Sequence, residues 1–146
     1  MTQLVLPNDT NQLGNLLGGQ LMHWMDLVAA IAASRHSRRV CVTASVDELN
    51  FLHPIKLGEV VTLLASVNRV FRTSMEVGVK VLSENMMTGV IRHANTAYLT
   101  FVALGSDGTP VPVAQIELET EEEQRRFDDA LRRRDDRLMR RKKLTH

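Results

Sequence analysis

The sequence predicts an α+β domain: an antiparallel sheet wrapped around one long buried helix, with a charged helix appended at the C-terminus. Three observations carry this. Residues 20–35 are Ala-rich and apolar nearly all round. From Val40 to Leu104 β-branched residues dominate and the apolar period shortens toward two. The last stretch, 117–146, holds 9 acidic and 10 basic residues, leaving only 8 of each sign for the rest of the 146-residue chain. That length suits one domain, read here as a core-forming body, 1–116, and a charged extension, 117–146.

The elements follow in order. Leu4-Val5-Leu6 is a short apolar piece, and Pro7-Asn8-Asp9-Thr10-Asn11 breaks it into a loop. Gln20 to Arg35 has no internal Gly or Pro, so a helix outcompetes a strand. A helix apolar on all sides is buried on most of them, and Arg35 to Arg39 places positive charge at its favourable end. Val40, Val42, Ala44 and Val46 then alternate, with Leu49 and Phe51 out of phase, which predicts a long strand bulged near Asp47-Glu48. Val60–Phe71, Ser74–Ser83 and Ile91–Leu104 read as three further strands. Asp107-Gly108 is a turn, and Pro110-Val111-Pro112-Val113 at most a short edge strand. Thr120 and Glu123 have capping-box spacing for the last helix. Its apolar stripe, Phe127, Ala130, Leu131 and Leu138, is too thin to anchor the fold, and Arg140 to Lys143 is expected to fray. One sheet cannot cover such an apolar helix alone, so an obligate oligomer is expected.

Composition excludes several classes. Lys and Arg number 18 against 17 Asp and Glu, without the basic excess of a nucleic-acid binder. The one cysteine, Cys41, cannot form an internal disulfide, and no Cys/His cluster has zinc spacing, so no metal is expected. No apolar run reaches membrane-spanning length, and Met1-Thr2-Gln3 lacks a signal-peptide pattern. A cytoplasmic protein is expected.

A few polar residues stand out. Asp26 lies between Met25 and Leu27 in the apolar helix, where a carboxylate is costly unless paired; it either bonds a neighbouring group or serves as a base. His23, three residues earlier, is near the same face. Asn11 and Asn15 flank Gly14 and either serve turn chemistry, which these residues suit, or offer a side-chain amide to position a water. Gly18-Gly19 lead into the helix, where free N–H groups and the dipole favour an anion or oxyanion, without the Lys-Ser/Thr of a phosphate-binding loop.

These residues fall into blocks. Asp9-Thr10-Asn11 through Gly18-Gly19, Leu21-Met22-His23-Trp24-Met25-Asp26, Ala29-Ala30, Val42-Thr43-Ala44-Ser45-Val46-Asp47, Asn50-Phe51 to Gly58-Glu59, Arg72-Thr73-Ser74-Met75-Glu76-Val77 and Thr100-Phe101-Val102-Ala103-Leu104 occur in the order of a known family. Over about residues 3–115 the chain resembles hotdog-fold acyl-CoA thioesterases of the cytosolic acyl-CoA hydrolase type. It departs at Leu17, where an aromatic is frequent, and at Glu48-Leu49.

The resemblance implies hydrolysis of acyl-CoA to free acid and CoA without a cofactor, CoA being part of the substrate and a product. It makes Asp26 the catalytic carboxylate, as base or nucleophile, and Asn11 its helper from the other chain of a dimer. The thioester oxygen would lie at the N–H groups by Gly18 and Gly19. Sheets would join edge to edge in dimers, and dimers in hexamers. Lys56, Arg69, Arg72, Ser74 and Arg92 are candidates for the CoA moiety. Two other readings stay open: an acyl-CoA sensor, whose output segment is not evident, and a β-hydroxyacyl thioester dehydratase using His23.

Overall fold

The computed structural model describes residues 1–144. In chain order it has β1 (Thr2–Leu4), a 3-10 turn (Pro7–Asp9), α1 (Gly18–Ser37), β2 (Val40–Phe51), β3 (Val60–Val70), β4 (Ser74–Glu84), β5 (Ile91–Leu104) and α2 (Glu121–Leu144). The strands form one sheet in the order β1-β3-β4-β5-β2, with every neighbouring pair antiparallel. Residues 111–113 form no strand but hydrogen-bond along the sheet through the Val111 and Val113 amides.

The sheet wraps α1. Leu21, Trp24, Met25, Ala29 and Ala33, spaced mostly by three and four, are buried against it. Met75, Val77, Val79 and Val81 of β4, with Ala97, Leu99 and Phe101 of β5, form the facing surface. Their alternation is the period-two signature of a strand with one covered face. The other side of α1 is open: Met22, Leu27 and Ile31 are each more than 40 % exposed. Strand β2 pairs with β5 only, so its outer edge is unpaired, and Val40 and Phe51 are exposed on it.

Strand β2 departs from simple alternation twice. Its register against β5 slips between Thr43 and Ser45 and again between Asp47 and Asn50. The second slip is the bulge expected from sequence, with Glu48 at φ 52. The first overturns the even run from Val40 to Val46. Thr43 pairs with the buried Phe101 and Val46 with the buried Leu99. Thr43 and Val46 therefore share the inner face although they are three positions apart, because each bulge inserts one residue and reverses the faces beyond it.

Helix α2 lies on the opposite face of the sheet from α1, and polar contacts hold it. Arg133 is buried and donates to both carboxylate oxygens of Glu76 on β4, at 3.0 and 2.7 Å. It also lies 3.5 Å over the ring of Tyr98 on β5. Asn68 on β3 donates to the same carboxylate at 3.0 Å. Burial opposes the Arg133 charge, but the hydrogen bonds and charge of Glu76, with Tyr98 and Glu48 adding less, outweigh it and raise its pKa further. Arg137 and Arg140 donate to the two oxygens of Asp47 on β2 at 2.9 and 3.1 Å.

The expected apolar stripe is thus not the anchor. Of its four members only Ala130 is fully buried, while Leu131 and Leu138 are more than a third exposed. Arginines occupy the inward positions because the outer sheet face offers them Glu76, Tyr98 and Asp47. For the same reason the helix does not fray at Arg140 but continues to Leu144; the last two residues of the extension lie outside the described residues. The cap forms in part. Thr120 Oγ accepts from Glu123 N, whereas the Glu123 carboxylate accepts from Glu119 N, not from the cap residue itself.

Candidate active site

Asp26 sits two turns into α1, half-buried, facing strand β2. Thr43 Oγ donates to its Oδ1 across 2.6 Å. That distance is typical of a hydroxyl donating to a carboxylate, a charge-assisted contact stronger than a neutral one. It fixes the carboxylate and leaves Oδ2 for another group. Around the pair is a pocket of about 180 Å³ lined by Met22, Met25, Val46, Leu49, Ala97 and Leu99. Apart from Asp26 and Thr43 its walls are apolar. His23, the residue the dehydratase reading needs, is exposed and is not among the residues that line this pocket.

Asn11 lies in the loop before α1. Its Oδ1 accepts from Leu13 N at 2.9 Å and Asn15 N at 3.1 Å. Gly14, at φ 77, lets this loop turn back, a conformation that side chains with a Cβ rarely adopt. The turn chemistry expected of Asn11 is therefore present. Its oxygen is committed to the loop, and its Nδ2 donors are what it can offer outward.

The start of α1 is not capped by a side chain. Leu21 N bonds Leu17 O, while the preceding first-turn N–H groups have no partner within a helix. Neither glycine is required by backbone angle. A Cβ at Gly18 would touch the Phe51 ring at 3.4 Å, and one at Gly19 would meet nothing. Asn11, Asn15, Gly18, Phe51 and His53 line a second pocket of about 360 Å³ beside this helix start. Asp26 is not part of it. Between the two pockets on β5 is Asn95, fully buried, whose amide oxygen and nitrogen have no partner among the described residues. Buried amides are rarely left so.

The basic candidates divide. Lys56 bridges Asn15 in backbone pairing, so it borders the Asn11 loop, with its side chain exposed. Arg92 is exposed on β5 near its start. Arg72, at φ 102, and Ser74 form the β3–β4 turn at the other end of the sheet. Arg69 holds α2 in place. It donates to the Phe127 carbonyl at 3.1 Å and stacks 3.9 Å from that ring. One chain therefore places Asn11 and Gly18 in one pocket, with Gly19 next in the helix and Lys56 paired beside Asn15, puts Asp26 in another pocket, and leaves Arg69 to the outer face.

Sequence reasoning missed Thr43. The signal was a hydroxyl in an apolar strand, but strict alternation gave no reason to place it with Val46 against Asp26.

A helix wrapped by such a sheet, with a carboxylate on the helix and an open helix start, defines the class. The Thioesterase superfamily matches residues 13–90, and this chain belongs to it. An uncharacterised acyl-CoA thioester hydrolase of Bacillus subtilis is 47 % identical over 97 % of this chain and 82 % of its own length. The crystal structure of an acyl-CoA hydrolase from Bacillus cereus has a TM-score of 0.94 at 43 % identity, covering 99 % of this chain and 88 % of that one. An acyl-CoA hydrolase from Staphylococcus aureus, solved with butyryl-CoA, CoA and CoA disulfide, has a TM-score of 0.92 at 36 % identity, covering 99 % and 88 %. It has also been solved with an asparagine, an aspartate or a threonine replaced by alanine.

Proposed function

We propose that this chain hydrolyses acyl-CoA thioesters to a carboxylic acid and CoA, at sites shared between two copies of itself. The observation that carries the reading is Asp26, held by Thr43 in the wall of an otherwise apolar pocket. In the S. aureus enzyme the replaced aspartate follows the asparagine by 15 residues, and the threonine follows the aspartate by 17. Asn11, Asp26 and Thr43 repeat both intervals. That agreement supports a common role for the three.

The chemistry follows from these positions. The thioester oxygen accepts from the free N–H groups at Gly18 and Gly19, where the helix dipole and the open backbone favour developing negative charge. Asp26 takes a proton from water, the resulting oxygen adds to the carbonyl carbon, and the carbon–sulfur bond breaks to release CoA thiolate. A thiolate leaves readily, so no strong acid is needed. Asn11 directs its Nδ2 donors at the water or carbonyl. The acyl chain lies among Met22, Met25, Val46 and Leu49. Lys56, Arg72, Ser74 and Arg92 remain candidates for the CoA moiety.

Within one chain Asn11 and Asp26 line different pockets. A two-fold axis beside the open edge of β2 would bring the Asn11 loop of one copy over the Asp26 of the other, and would cover the exposed α1 residues Leu27 and Ile31. Such an isologous contact uses the same patch twice. A hexameric acyl-CoA thioesterase, 41 % identical with a TM-score of 0.92 over 96 % of this chain and 90 % of that one, supports assembly of three such dimers. No helix among the described residues is long and apolar enough to cross a membrane; a cytoplasmic location is proposed with the function.

The test is thiol release from acetyl-, hexanoyl- and palmitoyl-CoA by the wild-type chain and Asp26→Asn. Release that depends on Asp26 is the expected result. Tight binding without release would favour a sensor instead.

A further inference from the structure

The wall of the Asp26 pocket is held from the far side of the sheet. Thr43, Val46 and Leu49 all line that pocket, at intervals of three along a strand whose natural period is two. The two bulges of β2 make this possible. The second is the sharper. It puts Glu48, a residue with a Cβ, at φ 52, and a conformation of this kind persists only where its surroundings over-determine it. What surrounds it is α2. Asp47, only 8 % exposed, points away from the pocket and accepts from Arg137 at 2.9 Å and Arg140 at 3.1 Å. Arg132 lies 3.8 Å from the Glu48 carboxylate. The arginines grip one side of the bulge, and Val46 before it and Leu49 within it form the acyl wall on the other.

We propose that Asp47, clamped by Arg137 and Arg140, is a positioning residue that sets the width of the acyl pocket, so that helix α2 tunes which acyl chains are accepted. This rests on the acyl-CoA reading above. Release of the clamp removes what holds the extra residue of β2 in place, and Leu49 is the side chain that moves. Asp26 and Thr43 lie beyond the bulge and keep their hydrogen bond, so the effect falls on acyl recognition and not on the chemical step.

The experiment compares kcat and KM for acetyl-, hexanoyl- and palmitoyl-CoA in the wild type, Arg137→Gln/Arg140→Gln and Arg137→Lys/Arg140→Lys. A pocket distinguishes substrates by about ten-fold or more per methylene-sized change. The glutamine pair is therefore expected to change the ratio of kcat/KM between the longest and shortest substrate by about ten-fold. The change should lie in KM, with kcat for acetyl-CoA nearly unchanged, and the lysine pair should restore much of the wild-type ratio. Should the glutamine pair fail to fold, Arg140→Gln alone decides, since that side chain is 61 % exposed; a several-fold change in the same ratio is expected. Acyl-length profiles parallel to the wild type in folded variants would overturn the proposal while leaving the hydrolase reading intact. A wild type that releases no thiol from any of the three would overturn both.

Discussion

The Thr43 hydroxyl donates to Asp26 Oδ1 across 2.6 Å, joining the edge strand to the central helix. The contact orients the one carboxylate in the apolar pocket. Asp26→Asn keeps the shape and removes the base, so kcat is expected to fall by about 10²–10⁴ with an unchanged circular dichroism spectrum. Thr43→Val removes only the orienting bond and should lower kcat by about ten-fold, whereas Thr43→Ser should retain most activity. Thiol-release kinetics at saturating acyl-CoA check both; near-native turnover by Asp26→Asn would remove the carboxylate from the mechanism.

Asn11 and Asp26 line separate pockets of one chain, which gives the shared site a direct test. Asn11→Ala and Asp26→Asn protomers, each weakly active alone, are expected to regain activity when unfolded together and refolded as a mixture. A hybrid dimer keeps one site with both groups. Mass spectrometry establishes that hybrids form. Hybrids as inactive as the parents would place both residues in a site of one chain.

Gly19 has open space where a Cβ would stand, so nothing in the fold of one chain demands a glycine there. Gly19→Ala is expected to leave the melting temperature unchanged or raise it, since alanine is favoured in a helix by up to about 1 kcal/mol. If the thioester lies against this turn, the added methyl group lowers kcat/KM by at least about ten-fold. Unchanged activity in a stable variant would move the carbonyl elsewhere.

Glu76 and Arg133 are both almost fully buried. Loss of one partner strands the other charge, and Arg133→Met is expected to cost about 3–5 kcal/mol. For a chain of this size that corresponds to a melting temperature lower by about 10 °C. Glu76→Leu/Arg133→Met, which removes both charges, should recover most of the loss because two buried charges are hard to desolvate. Calorimetry of the two variants separates the cases; equal losses would show that the pair itself stabilises the docked helix.

Local chemistry made much of this fold legible. The long helix was visible because residues 20–35 are apolar without Gly or Pro, and β3, β4 and β5 end within a residue of their sequence-derived limits. Asp26 was visible because a carboxylate in an apolar helix is conspicuous on any reading. Thr43 was not, because its face depends on the slip between Thr43 and Ser45, which is settled by packing against β5 and leaves no local mark. Nor were the contacts that dock α2. Its inward residues carry charge, and a charged stripe reads as solvated until partners appear across the sheet. Those partners, Glu76, Tyr98 and Asp47, lie on three different strands. The elements, their order and the central carboxylate are thus written in the chain, because propensity and periodicity act over a few neighbouring residues. Which charges are buried as pairs, and which side chains face the pocket, became fixed only on folding. The slip between Thr43 and Ser45 and the long-range ion pairs arise between segments distant in the chain, where periodicity carries no information.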